Sequence, residues 1–228
     1  MNTTLAYSTI HDRGETTMEN IMKTYHIPFI DKDKAGEINC HDLPAADISC
    51  WNWSKDYTPK AKAKAYVLGK DGKGDILHIR ICCHEANPKA VYHDFFDDVY
   101  KDSCLEAFIG FEKGGRYMNT EMNSNGAALI AVGPDRYDRT RIDEIITPSQ
   151  VKATVKDDRW RVDVEYTVDQ LKKIFGDIAS LDVGTHFYGN FYKCGDECEI
   201  QHYGSWNPIG TPEADFHRPE YFGELIIG

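Results

Sequence analysis

The sequence predicts an all-β fold, an antiparallel β-sandwich with one short helix. Three observations carry this. Apolar and polar residues alternate with period two through most of the chain, which is the pattern of half-buried strands. Clusters of Gly, Pro, Asn and Asp separate the alternating runs. One stretch has helical spacing together with start and stop signals. The chain has 228 residues, 41% hydrophobic and 28% charged. A chain of that size buries roughly 70% of its unfolded surface, so it can fold without disulfide staples.

Residues 1–20 are polar and aperiodic and are predicted to form a flexible N-terminal segment. No internal repeat or linker follows, so residues 21–228 read as one domain. In 62–68, Ala63, Ala65 and Val67 share a face. In 75–83, Leu77, Ile79, Ile81 and Cys83 lie together, opposite His78 and Arg80. In 159–166, Trp160, Val162, Val164 and Tyr166 go in, while Arg161, Asp163 and Glu165 go out. Further strands are predicted at 24–30, 103–112, 115–124, 126–132, 151–156, 184–193, 199–205 and 222–227. For the helix, Thr167 is the cap and Gln170 completes a capping box. Val168, Leu171, Ile174 and Phe175 form one face, and Gly176 is the stop. A shorter helical turn is predicted near 94–99.

The formal net charge is −11. A net anion without a basic block repels phosphate backbones, which argues against nucleic acid and anionic membranes as partners. No apolar run reaches the roughly 18–20 residues of a membrane span. Residues 1–15 carry neither a basic start nor an apolar stretch of signal-peptide type, so a cytoplasmic protein is expected. The odd count of seven cysteines, with Cys82 and Cys83 adjacent, then suggests reduced thiols.

Three strands carry amides, carboxylates and aromatic rings on one face. In 115–124 these are Tyr117, Asn119, Glu121 and Asn123, with Met118 and Met122 behind. In 184–193 they are His186, Tyr188, Asn190 and Tyr192, with Phe187 and Phe191 behind. In 103–112, Glu106 sits with Cys104 and Phe108. Sugars suit that mixture: hydroxyls take hydrogen bonds from amides and carboxylates, and their C–H faces lie on aromatic rings.

Five segments in order carry a resemblance. They are Tyr100-Lys-Asp-Ser-Cys-Leu-Glu-Ala-Phe-Ile, Arg116-Tyr-Met-Asn-Thr-Glu-Met-Asn-Ser-Asn-Gly, Asn190-Phe-Tyr-Lys-Cys-Gly-Asp, His202-Tyr-Gly-Ser-Trp-Asn-Pro-Ile and Asp215-Phe-His-Arg-Pro-Glu-Tyr-Phe-Gly-Glu-Leu. From about residue 24 to the C-terminus, the chain resembles the family 9-like carbohydrate-binding proteins, relatives of the family 9 modules of xylanases. The resemblance implies a sandwich of jelly-roll type, a role in polysaccharide catabolism, and a mono- or oligosaccharide as partner. The xylanase modules hold a sugar between two tryptophans. Tyr100 is the aromatic nearest the first of these positions, and Phe216 occupies the second. The resemblance matches Glu106 to an acid of the site, places an arginine where this chain has Glu121, and aligns a glutamine with Asn190. It also implies structural calcium, whose ligands the motifs do not locate here.

The favoured reading is therefore a non-catalytic carbohydrate-binding domain. Tyr100 and Phe216 would stack on the sugar, Glu106, Asn119, Glu121 and Asn190 would bond its hydroxyls, and Trp206 would wall the cleft. The alternative is a glycoside hydrolase using Glu106 and Glu121 as paired carboxylates. It is disfavoured because nothing in the sequence raises either pKa by evident burial. A third reading, a metal site at Cys194, Cys198, His202 and His186, lacks the Cys-x-x-Cys knuckle of structural zinc.

Overall fold

Pro28 divides the first extended run between two sheets. The computed structural model describes residues 22–228, so the segment 1–20 lies outside it. Before Pro28 runs β1 (Thr24–Ile27), and after it β2 (Phe29–Asp31). β3 (Ala46–Ile48), β4 (Ala61–Lys70) and β5 (Lys73–His84) come next, then β6 (Cys104–Gly110), β7 (Tyr117–Asn123), β8 (Ala128–Gly133) and the short β9 (Thr140–Arg141). β10 (Val151–Lys156) and β11 (Arg159–Thr167) lead into the helix α1 (Val168–Phe175). β12 (His186–Gly195), β13 (His202–Ser205) and β14 (Gly223–Ile227) complete the chain. The predicted strands and helix are all present. The turn expected near 94–99 falls slightly later, as a 3-10 turn at Val99–Lys101.

The strands form two packed sheets. One has the order β1-β14-β12-β6-β7-β8-β9, with β13 also beside β12. The other has the order β10-β11-β5-β4-β2, with β3 also beside β4. Most pairs are antiparallel, but β1 runs parallel to β14 and β2 parallel to β4. The two exceptions share one cause. Proline offers no N–H to a ladder, so the run can leave one sheet edge at Pro28 and join the other. Val67 N donates to the Pro28 carbonyl and Phe29 N to that of Gly228, which fastens both sides of the crossing.

The inward rows are those the alternation predicts. Ala63, Ala65, Val67, Leu77, Ile79, Ile81, Trp160, Val162, Val164 and Tyr166 are buried against Leu105, Ile109, Met118, Met122, Phe187 and Phe191 of the facing sheet. Tyr166 reaches across to hydrogen-bond Thr120. The Asp71–Gly72 turn joins β4 to β5 with positive φ at both residues, 50° and 75°, as a tight two-residue hairpin requires. α1 closes one end. Thr167 Oγ1 accepts from Gln170 N, Gln170 Oε1 accepts from Thr167 N, and Leu171 and Ile174 are buried.

The outer face of the first sheet departs from a plain sandwich. Every residue of β6 and β7 is buried on both sides. The segments before β6 and after β13 fold across this face. They enclose a second apolar cluster that includes Val99, Phe108, Tyr117, Tyr192, Ile209, Phe216 and Phe222. The gap left in that cover is the site.

Candidate functional site

The gap is a cavity of about 360 Å³, within the roughly 300–1,000 Å³ usual for small-molecule sites. Its floor is the outer face of β6, β7 and β8. Glu106 and Glu121 are direct cross-strand partners there, and Asn119 lies two residues before Glu121 on the same face. Tyr100, from the 3-10 turn, and Phe216, from the segment covering the sheet, contribute rings to the wall. The predicted residues Tyr100, Glu106, Asn119, Glu121 and Phe216 therefore line one cavity.

Asn190 and Trp206 do not. Asn190 is fully buried, and its amide clamps the chain that covers the sheet. Its Nδ2 donates to the Asn207 carbonyl, and its Oδ1 accepts from the Asn207 and Phe191 N–H groups. At 0% exposure and outside the cavity lining, it does not reach a sugar hydroxyl there. Asn190→Ala should cost about 2–3 kcal/mol, because it strands the buried main chain of Asn207. Urea unfolding checks this. Trp206 faces the other way, into the core between the sheets, with its ring 6.2 Å from Tyr25 and 5.8 Å from Phe191. Counting by two from His202 gives the reason. His202, Gly204 and Trp206 share the inward face, and Tyr203, which does line the cavity, points outward.

The electrostatics are unusual for an open cleft. Burial first, then repulsion from Glu121, raises the Glu106 carboxyl well above its ordinary range. Its Oε1 accepts a hydrogen bond from the Cys194 thiol at 2.9 Å. Burial pushes Glu121 up to about 7, although Asn119 and Arg139 oppose the shift. Asn119 Nδ2 donates to Glu121 Oε1 at 2.8 Å, while Glu121 Oε2 is buried without a hydrogen-bond partner. The absence of evident burial was the sequence argument against catalysis, and the burial of both carboxyls removes it.

The sequence reading missed the basic side of the cavity. Arg136, Arg139 and Arg141 line it from the segment after β8. Arg139 donates to Asn119 Oδ1 and to the Ala131 and Gly133 carbonyls. Its guanidinium lies 4.3 Å from the centre of the Tyr117 ring, and its Nε is buried without a partner. The resemblance expected an arginine at the position of Glu121. Here the cation comes from the neighbouring loop instead. Asp196, Tyr203, Asp215 and His217 complete the polar wall. Burial, reinforced by Arg139 and Arg136, lowers the His217 imidazole to about 3, so it is neutral. Phe216 is only 8% exposed. One face of its ring stacks on Tyr192, with centroids 4.1 Å apart and planes at 11°. It both holds the covering segment and lines the cavity.

The proposed metal quartet does not converge. Cys194 lies on the outward face of β12, and His202 turns inward to accept from Lys193 Nζ at 2.6 Å. His186, at the far end of β12, meets Glu224. A different trio does converge among the described residues. One ligand atom from each of Cys104, Glu106 and Cys194 lies within 4.8 Å of the others, all buried. Two thiols do not suit calcium, which takes oxygen ligands.

Fold and site together define a β-sandwich domain with a small-molecule cleft built on the outer face of one sheet. The profile of carbohydrate-binding family 9 matches residues 35–227, and the chain belongs to that family. Among solved structures, a putative carbohydrate-binding protein from Bacteroides uniformis is 24% identical with a TM-score of 0.73, over 91% of this chain and 100% of that one. A family 9 carbohydrate-binding module from Caldicellulosiruptor kristjanssonii in complex with glucose is 12% identical with a TM-score of 0.63, over 90% and 96% of the two chains. The same is true in outline of one in complex with cellotriose, at 13% identity and a TM-score of 0.62, over 90% and 93%. These likenesses show the fold. No curated protein matches the chain.

Proposed function

We propose that the chain is a non-catalytic carbohydrate-binding domain. Its cleft would take a neutral pyranose, as a monosaccharide or as part of a short oligosaccharide. One observation carries this reading. Glu121 Oε2 is a buried acceptor and Arg139 Nε a buried donor, both without partners, and both residues line the same cavity. Buried polar groups are ordinarily paired. A hydroxyl donates and accepts at once, so a sugar can satisfy both, with Tyr100 and Phe216 offering ring surface to its C–H groups. The structurally similar family 9 modules in complex with glucose and with cellotriose lend support to the ligand class.

The carboxyl pair does not favour hydrolysis despite its raised pKa values. Hydrolysis needs its two carboxyls to flank the glycosidic bond, one protonating the leaving oxygen and the other acting from the opposite face of the ring. Glu106 and Glu121 are side by side on one sheet face, so they approach a ligand from the same side.

Calorimetric titration with glucose, cellotriose and a wider sugar panel tests the reading. Binding of about 4–8 kcal/mol is expected, a millimolar to micromolar dissociation constant. Tyr100→Ala should abolish the heat. Silence across the whole panel, or turnover of aryl glycosides that Glu106→Gln removes, would overturn the reading.

A further inference from the structure

We propose that Cys104, Glu106 and Cys194 form a binding site for a thiophilic divalent cation of the zinc class at the base of the cleft. The backbone brings them together. Cys104 and Cys194 are direct cross-strand partners between β6 and β12. Glu106 lies two residues along β6, on the same face. One donor atom from each lies within 4.8 Å of the others, and the Cys194 sulfur is already 2.9 Å from Glu106 Oε1. Zinc binds thiolate at about 2.3 Å and carboxylate at about 2.0–2.2 Å, so tetrahedral donors sit about 3.5–3.8 Å apart. Small side-chain rotations close the trio onto one ion.

The donor set selects the metal. Thiolates favour zinc and its softer congeners, while calcium and magnesium require oxygen. Each thiol gives up its proton on coordination. Two thiolates and a carboxylate then carry three negative charges against two on the ion. Burial raises the Cys104 thiol and the Glu106 carboxyl, and the contact with Cys104, then burial, raises the Cys194 thiol. The ion must therefore displace their protons as it binds, and occupancy falls as pH falls. Three protein ligands leave a fourth position open, the arrangement of reactive rather than structural zinc sites. Glu106 also lines the cleft, so that position opens toward it and the cleft is the path of entry. Cation binding stands apart from the sugar reading, because it needs no saccharide.

The test is a cobalt titration of the full chain, reduced and stripped of metal with a chelator. The expected result is one equivalent of Co²⁺ giving a thiolate charge-transfer band and the visible bands of a tetrahedral site, both erased by zinc. Cys104→Ser and Cys194→Ser should lose the charge-transfer band, and Cys198→Ser should keep it. Glu106→Gln should retain the band but weaken affinity about tenfold or more. Should a cysteine variant not fold, alkylation of the unaltered protein decides. Zinc must then slow modification of Cys104 and Cys194 and leave Cys198 unchanged. No band at one equivalent, a band that survives loss of either cysteine, or no protection by zinc would overturn the proposal. Sugar titration of the metal-free protein reports separately on the cleft.

Discussion

Replacing Lys193 with methionine should lower the melting temperature by roughly 10 °C. Lys193 is fully buried on the inward face of β12, where a row of apolar residues would otherwise continue. Its ammonium donates to Ser103 Oγ at 2.9 Å, the Cys194 carbonyl at 2.8 Å and His202 Nε2, and lies 3.6 Å from Glu85 Oε2. Glu85 in turn accepts from Ser103, Trp160 and Tyr57. Burial alone would raise the Glu85 carboxyl, but Lys193 and these hydrogen bonds hold it below its ordinary range. His202 is lowered to about 4, by burial first and then by Lys193. It is therefore neutral, with Nδ1–H donating to the Ile200 carbonyl and Nε2 free to accept. Removing the ammonium leaves a buried carboxylate without its cation, a loss of about 3–5 kcal/mol. The double variant with Glu85→Gln should recover a large part of it, since the stranded charge is then gone. Thermal melts of both single variants and the double variant measure the coupling. A Lys193→Met protein melting within about 2 °C of the parent would sink this account.

That network also marks where sequence reasoning reaches its limit. The inward rows of β4, β5 and β11 were legible because a single period of two decides them: Val162 and Val164 have nothing but core to face. The capping box at Thr167 and Gln170 was legible because it is local. On the outer face of the first sheet, period two gave the correct face for Glu106, Asn119 and Glu121 but the wrong fate for Asn190. Which outward residues stay open depends on where the segments before β6 and after β13 cross the sheet, and no short-range pattern encodes that. Arg139 was invisible for the same reason, since it acts from a loop on a strand far from it in sequence. Trp206 and Tyr203, by contrast, could have been assigned from the sequence. Extending the alternation of β13 by one residue separates the core tryptophan from the cleft tyrosine. Lys193 carried a signal too, as a charge in the row of Phe187 and Phe191, and such a charge must find partners in the interior.

Glu121→Gln should make the protein more stable and a poorer binder, both most strongly above neutral pH. Burial raises the folded-state carboxyl from its ordinary 4.5 to about 7. The folded protein thus holds this proton more tightly than the unfolded chain does. Stability from the group is fully present below about 4.5 and is lost as pH climbs to about 7. Glu106, raised for the same reason and by Glu121 itself, acts in the same direction. His217 opposes them: lowered to about 3, it weakens the fold as pH falls below its ordinary value. The comparison of Gln with Glu at one position leaves the His217 background in place and reports the Glu121 carboxyl together with the repulsion it exerts on Glu106. At pH 8 the variant should gain about 2–3 kcal/mol, and at about pH 4, below the carboxyl's ordinary value as well as its folded one, the gain should vanish. The Gln side chain still accepts from Asn119, so the floor of the cleft keeps its shape. Its second group is now a donor, however, and cannot accept from a sugar hydroxyl as Oε2 would. Exchanging a charge-assisted bond for none should weaken sugar affinity about tenfold or more at pH 8. A residue whose removal strengthens the fold and weakens the complex is one held in place for its ligand. Melting curves at the two pH values, paired with calorimetry at the higher one, decide the matter. Equal melting temperatures at pH 8, or undiminished affinity there, would remove Glu121 from the binding site.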